Sequence, residues 1–311
     1  MLSSTHQKVS ILIKKTLIIF CCVITSSIVH SQKIPPENEQ TYELNKNRLK
    51  KVAIGGGLLY TGTMIGLNQL WYADYEKTSF HFFNDNTEWM QMDKIGHSVT
   101  AYHFAKAAKS SLEWAGLSSN KARNYGVAYG LIFQSTIELL DGYSAQWGAS
   151  TGDMIANAAG GAILWGQDVA WQEQRVNMKY SYSKSDYTDL RPGTFGENWQ
   201  ERFLKDYNGQ TYWLSANIKS FLSDDSKVPS WLNIAAGYGI DGITGANENP
   251  EEFGFFDRDR QYYLSLDVDL ERINSKSKVV NFLFSTFSFI KIPAPTIEFS
   301  GTNTKIHWLH F

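Results

Sequence analysis

The chain has 311 residues and a formal net charge of −2, from 29 Lys and Arg against 31 Asp and Glu. A hydrophobic fraction of 43% excludes a disordered chain. The absence of any basic excess excludes a nucleic-acid binder that works through phosphate contacts.

Charged residues are only 19% and aromatics reach 14%, a composition suited to apolar or interfacial surroundings. Residues 1–31 carry Lys8, Lys14 and Lys15 and no acid, then an apolar run from Thr16 to Val29 and a small residue, Ser31. This pattern predicts a cleaved signal peptide at 1–31, because the run is short for a bilayer span. Cleavage takes three positive charges and moves the net charge to −5. Cys21 and Cys22 both lie in this leader, so the exported chain is expected to have no disulfide, no thiolate nucleophile and no cysteine-bound zinc. The bulky Phe20 before Cys21 argues against a lipid attachment site. Residues 32–50, with Pro35-Pro36, read as a polar tether.

A helical domain is expected over 51–174, with about four helices. Val52 to Tyr72 holds no charged residue and is about as long as a membrane span. Further helical patterns run over Lys94 to Ala115, Ser119 to Leu140 and Thr151 to about Gln174. Small residues four apart, Gly62 and Gly66, Gly126 and Gly130, Ala156 and Gly160, predict close helix contacts. The same pattern suits a membrane-associated bundle and a soluble one.

After Arg175 the period changes to two, and 175–311 is expected to be an antiparallel β region. Tyr262, Leu264, Leu266, Val268 and Leu270 face one way; Tyr263, Ser265, Asp267 and Asp269 face the other. Tyr212 to Ile218 and Trp231 to Thr244 are further strands, and Thr296 to Ser300 with Lys305 to Phe311 form a hairpin around Gly301. One helix is expected at Val279 to Ile290. The fold class is therefore α+β, a helical bundle followed by antiparallel strands. Five or six strands are fewer than the eight of the smallest membrane barrels, so the sheet is expected to pack on the helical half.

Gly237-Tyr238-Gly239-Ile240-Asp241-Gly242 has nucleotide-loop spacing, but Gly, Asn and Pro follow it where a helix is needed, so it reads as a strand and turn. No nucleotide and no nucleic acid is expected as a partner. The informative residues lie on the helices. Asp93 and His97 are four apart on one face, with Lys94 beside them; Glu138 and Asp141 end the next helix. Ser150 to Asp153 resembles a capping box, and Asn157 lies four residues after Asp153. Their neighbours are apolar or small, and carboxylates on such helices are costly unless paired or liganded. The candidate catalytic residues are His97, Glu138 and Asp153, and the candidate binding residues are Asp93, Lys94, Asp141 and Asn157. A structural network, a general acid–base site and a divalent-metal site all fit this set, and the sequence requires no cofactor. The aromatic loop Phe80 to Trp89 is expected to plug the site.

Asp93-Lys94-x-x-His97, Glu138 and Gly152-Asp153-x-x-x-Asn157-x-x-Gly160 together resemble the YfiM-like family of predicted periplasmic proteins and lipoproteins, over about Trp71 to Gln167. They are more weakly similar to VanZ-like membrane proteins. The resemblance implies an exported protein of the periplasm or envelope membrane of a Gram-negative bacterium, with a membrane as partner. It supplies no activity. The expected role is structural or binding, and the alternative is a hydrolase acting on an envelope lipid or glycan with His97 as general base.

Overall fold

The structure is a computed structural model and describes residues 43–311 apart from Asp74. The expected signal peptide, both cysteines and most of the tether lie outside the described residues. Helices fill the first part of the chain and a six-stranded antiparallel sheet the second. The described chain divides into two compact units, one of residues 43–83, 100–165 and 275–286, the other of 84–99, 166–274 and 287–311.

The first unit is helical. It holds α1 (Lys46–Leu67), α2 (Met92–Trp114) from residue 100 onward, α3 (Ser119–Gly142), most of α4 (Thr151–Trp171) and α5 (Lys278–Thr286). Asn45 caps α1 by accepting the Arg48 amide proton at 3.0 Å. Arg48 in turn donates to the Trp114 carbonyl at 3.1 Å, where its charge suits the negative end of α2. Tyr60 and Tyr129 tie α1 to α3 through Thr136 and the Gly56 carbonyl. Between α2 and α3 the backbones nearly touch. A Cβ on Gly126 would lie 2.7 Å from the Ala105 oxygen, and one on Gly130 2.8 Å from the Ala101 oxygen. Beside them Phe104 and Phe133 stack at 3.9 Å. The expected tight contact is present at this pair but not at Gly66, which has open space around it. Three adjacent glycines and two threonines dilute the apolar character of α1, and no described helix is long and apolar enough to cross a membrane.

The second unit is built on a meander in strict chain order: β1 (Val176–Tyr182), β2 (Gln210–Asn217), β3 (Leu232–Asp241), β4 (Asp259–Val268), β5 (Ala294–Ser300) and β6 (Asn303–His310). The outer edge of β1 is covered by residues 289–291, which exchange two backbone bonds with Tyr180. Gly237 and Gly239 lie inside β3, where Gly237 lets the Trp213 ring approach to 2.6 Å of its would-be Cβ.

The alternation of this sheet is inverted relative to a water-soluble one. The buried face is largely polar around one small cluster of Trp213, Ala235 and Tyr263. Lys179 pairs with Asp267 at 2.7 Å, with 1% and 0% of the side chains exposed. Asp267 also accepts from Ser215 Oγ at 2.6 Å and from the Ile292 amide at 3.1 Å. Asn233 donates to Ser215 and Asn217 donates to Asn233, which extends the network across three strands. The opposite face carries Leu214, Ile234, Leu264, Leu266, Ile297 and Phe299, all exposed.

Candidate functional site

A left-handed turn precedes the first candidate residues. Trp89, Met90 and Gln91 have φ of 49°, 47° and 66°, and none is glycine. Such a backbone costs roughly 1–2 kcal/mol per residue and persists only where neighbours fix it. The Tyr238 hydroxyl donates to the Met90 carbonyl at 2.6 Å, the Trp89 amide donates to the Ala246 carbonyl at 2.9 Å, and Arg260 donates to Gln91 Oε1 at 2.7 Å. Met92, Ile240 and Ile243 pack as a core cluster beneath it.

This turn delivers Asp93 and His97 on the first turns of α2. His97 Nε2 lies 3.7 Å from Asp93 Oδ1, as their spacing of four predicts. The Tyr207 hydroxyl donates to the same Asp93 oxygen at 3.2 Å. Lys94 reaches Asp93 Oδ2 at 3.4 Å, but its closer partner is Asp85 at 2.7 Å, a loop residue that sequence reasoning did not single out. Burial, and next the Asp93 carboxylate, push the Tyr212 phenol up, so this group remains a neutral hydroxyl. Burial and the adjacent Asp85 raise Glu88.

The other candidates lie in the helical unit. Glu138, Asp153 and Asn157 are buried, as is Gln134, which donates to Asn157 Oδ1 at 3.1 Å. Ser150 is the N-cap of α4: its Oγ accepts the Asp153 amide proton at 3.2 Å. In a capping box the third helical residue takes the cap residue's own amide. Here Glu138 from the preceding helix does so, with Oε2 at 3.0 Å from the Ser150 nitrogen. Asp141 accepts the Tyr72 hydroxyl at 2.7 Å. Tyr72, Tyr207 and Gln134 were missed because nothing in the local sequence marks them.

The loop before the site is pinned at its start. Phe80 packs over Gly142, where a Cβ would lie 2.3 Å from its ring, and the Phe83 amide donates to the Ala149 carbonyl. His81 sits in this loop, its Nδ1 3.3 Å from the Ser79 carbonyl.

The Glu138 contact gives a direct test. Glu138→Ala leaves the buried Ser150 amide without its acceptor and is expected to destabilise the chain by ~1–3 kcal/mol. Glu138→Gln keeps an acceptor oxygen and is expected to lose less than half of that, read from the urea midpoints of the two variants.

Asp93 and His97 offer a carboxylate and an imidazole side by side, both half-buried, in the second unit, while Asp153 is buried in the helical unit. An imidazole beside a carboxylate is a donor pair for Zn²⁺ or Mn²⁺. No curated protein and no solved structure matches the chain. Residues 81–165, which include every one of these candidates, are similar to the family described as "Predicted periplasmic lipoprotein (DUF2279)", a description that agrees with the export to the cell envelope expected from residues 1–31.

Proposed function

We propose that the chain is an exported envelope protein of the YfiM-like type in which Asp93 and His97 bind one divalent cation. The observation that carries this reading is the pair itself: His97 Nε2 lies 3.7 Å from Asp93 Oδ1, both half-buried on the first turns of α2. A carboxylate and an imidazole four residues apart on one helix face present two donor atoms to one ion. The Tyr207 hydroxyl, which donates to the same Asp93 oxygen, holds that carboxylate in place.

Chain purified without chelator is expected to carry a stoichiometric divalent metal by elemental analysis. Zn²⁺ or Mn²⁺ added back to metal-stripped protein is expected to raise its melting temperature by mass action. His97→Asn and Asp93→Asn are expected to fold and to lose this metal-induced rise. Metal-free protein whose melting temperature is indifferent to Zn²⁺, Mn²⁺, Mg²⁺ and Ca²⁺ overturns the proposal.

A further inference from the structure

We infer that the outward face of strands β2–β6 lies against the acyl chains of a lipid bilayer. This inference is independent of the cation site. The strand register arranges the face in levels. Tyr180, Tyr212, Tyr238, Tyr262 and Phe299 are cross-strand partners in one row over five adjacent strands. The next row on the same face is Leu214, Ala236, Leu264, Ile297 and Ile306. Beyond it come Ala216, Ile234 and Leu266, then Leu232 and Val268. On the water side of the aromatic row stands Arg260; past Val268 the buried Asp269 belongs to the inward face and pairs with Arg272 at 3.2 Å.

An aromatic belt with a charge beyond it and an uncharged aliphatic band below it are the profile of a lipid-facing β surface. From Tyr262 to Val268 the band is about 20 Å tall at the usual strand rise, close to the ~25 Å apolar band of membrane strands. The charge distribution complements hydrocarbon: the outward positions between Arg260 and Asp269 carry no charge, while the Lys179–Asp267 pair and its hydrogen-bonded neighbours turn inward. A protein partner fits less well, because recognition surfaces are about as polar as the rest of a protein and are not layered along the strands. The face is also open where it matters. Tyr262, Leu264 and Leu266 are 53%, 42% and 48% exposed, and Trp308 of β6 is 86% exposed. The Tyr180 end of the row is covered by Phe203, and Tyr212 and Tyr238 pack against the Met92 cluster, so Tyr262 and Phe299 are the open part of the belt and the contact runs below it from Leu214 of β2 across to β6. Six strands do not close a barrel, and the contact we assign is a face laid into the bilayer rather than a pore.

The test uses the full chain with Cys21→Ser and Cys22→Ser, which removes any acyl attachment and any competing thiol. Single cysteines at Leu264, Ile306 and the exposed Asp225, in the loop between β2 and β3, carry an environment-sensitive dye. The chain is mixed with phosphatidylethanolamine–phosphatidylglycerol vesicles containing lipids brominated on the acyl chains. The dye at Leu264→Cys and Ile306→Cys is expected to shift to the blue and to be quenched several-fold more than at Asp225→Cys. Leu264→Lys is expected to weaken vesicle partitioning by roughly thirtyfold, the equivalent of ~2 kcal/mol for a lysine in the hydrocarbon. Equal quenching at all three positions overturns the inference. So does a detergent-free dimer in which Ile306→Cys is protected without lipid, which would assign the face to a second copy.

Discussion

Lys179→Met is expected to lower the stability of the chain by ~3 kcal/mol, and adding Asp267→Leu to return at least half of that loss. The pair sits on the closed polar face of the sheet at 2.7 Å. Removing one member leaves an uncompensated buried charge, which typically costs 3–5 kcal/mol, whereas removing both takes away the desolvation penalty as well. The lower end of that range applies, because Lys291 faces the same carboxylate and partly replaces the missing charge. Burial, more than any neighbour, depresses Lys291 to about 8. Asp267→Leu alone also strips acceptors from Ser215 and the Ile292 amide, so recovery is incomplete. Urea midpoints for the four chains of the cycle give the coupling; a purely additive result refutes the assignment.

Alanine at Gly126 or Gly130 is expected to destabilise by ~2–3 kcal/mol each, while alanine at Gly66 is expected to stabilise by ~0.5–1 kcal/mol. All three lie in helical segments where alanine is the better helix former. At Gly126 and Gly130 the added carbon meets backbone of α2, which can move only if the two helices separate. At Gly66 it meets nothing within 4 Å. Thermal melts of the three single variants suffice. A melting temperature that rises for Gly126→Ala, or falls for Gly66→Ala, contradicts the packing described.

This contrast shows what the sequence could and could not say. The small-x-x-x-small spacing is the same at both places, but only the structure tells which glycines face another backbone. Three helix starts were legible: those expected at Lys94, Ser119 and Thr151 fall within two residues of the observed ones, whereas α1 starts at Lys46, ahead of the expected Val52 and inside the stretch read as tether. The period of β2 to β6 was legible too. β1 was not singled out, although Val176, Met178, Tyr180 and Tyr182 alternate with Asn177, Lys179 and Ser181. A lysine at an inward position argues against a buried strand unless its distant partner, Asp267, is known. Within the candidate site the Asp93–His97 pairing and the Ser150 cap were readable, because both are set by helix geometry over three or four residues. The Tyr207 hydroxyl on Asp93 and the Tyr72 hydroxyl on Asp141 come from 114 and 69 residues away, and no local pattern encodes them.

The left-handed turn at Trp89–Gln91 ties the chemistry of α2 to the sheet's rim. Its three residues are restrained by Tyr238 of β3, by Arg260 of β4 and by the Ala246 carbonyl in the turn between those strands. The turn acts as a latch held under load. Loosening any of the three restraints lets it relax toward right-handed backbone and shifts the start of α2, which carries Asp93 and His97 together and draws Asp93 off the Tyr207 hydroxyl. A change at Tyr238, 148 residues further along the chain than the carbonyl it holds, would therefore be felt first at the Tyr207–Asp93 hydrogen bond.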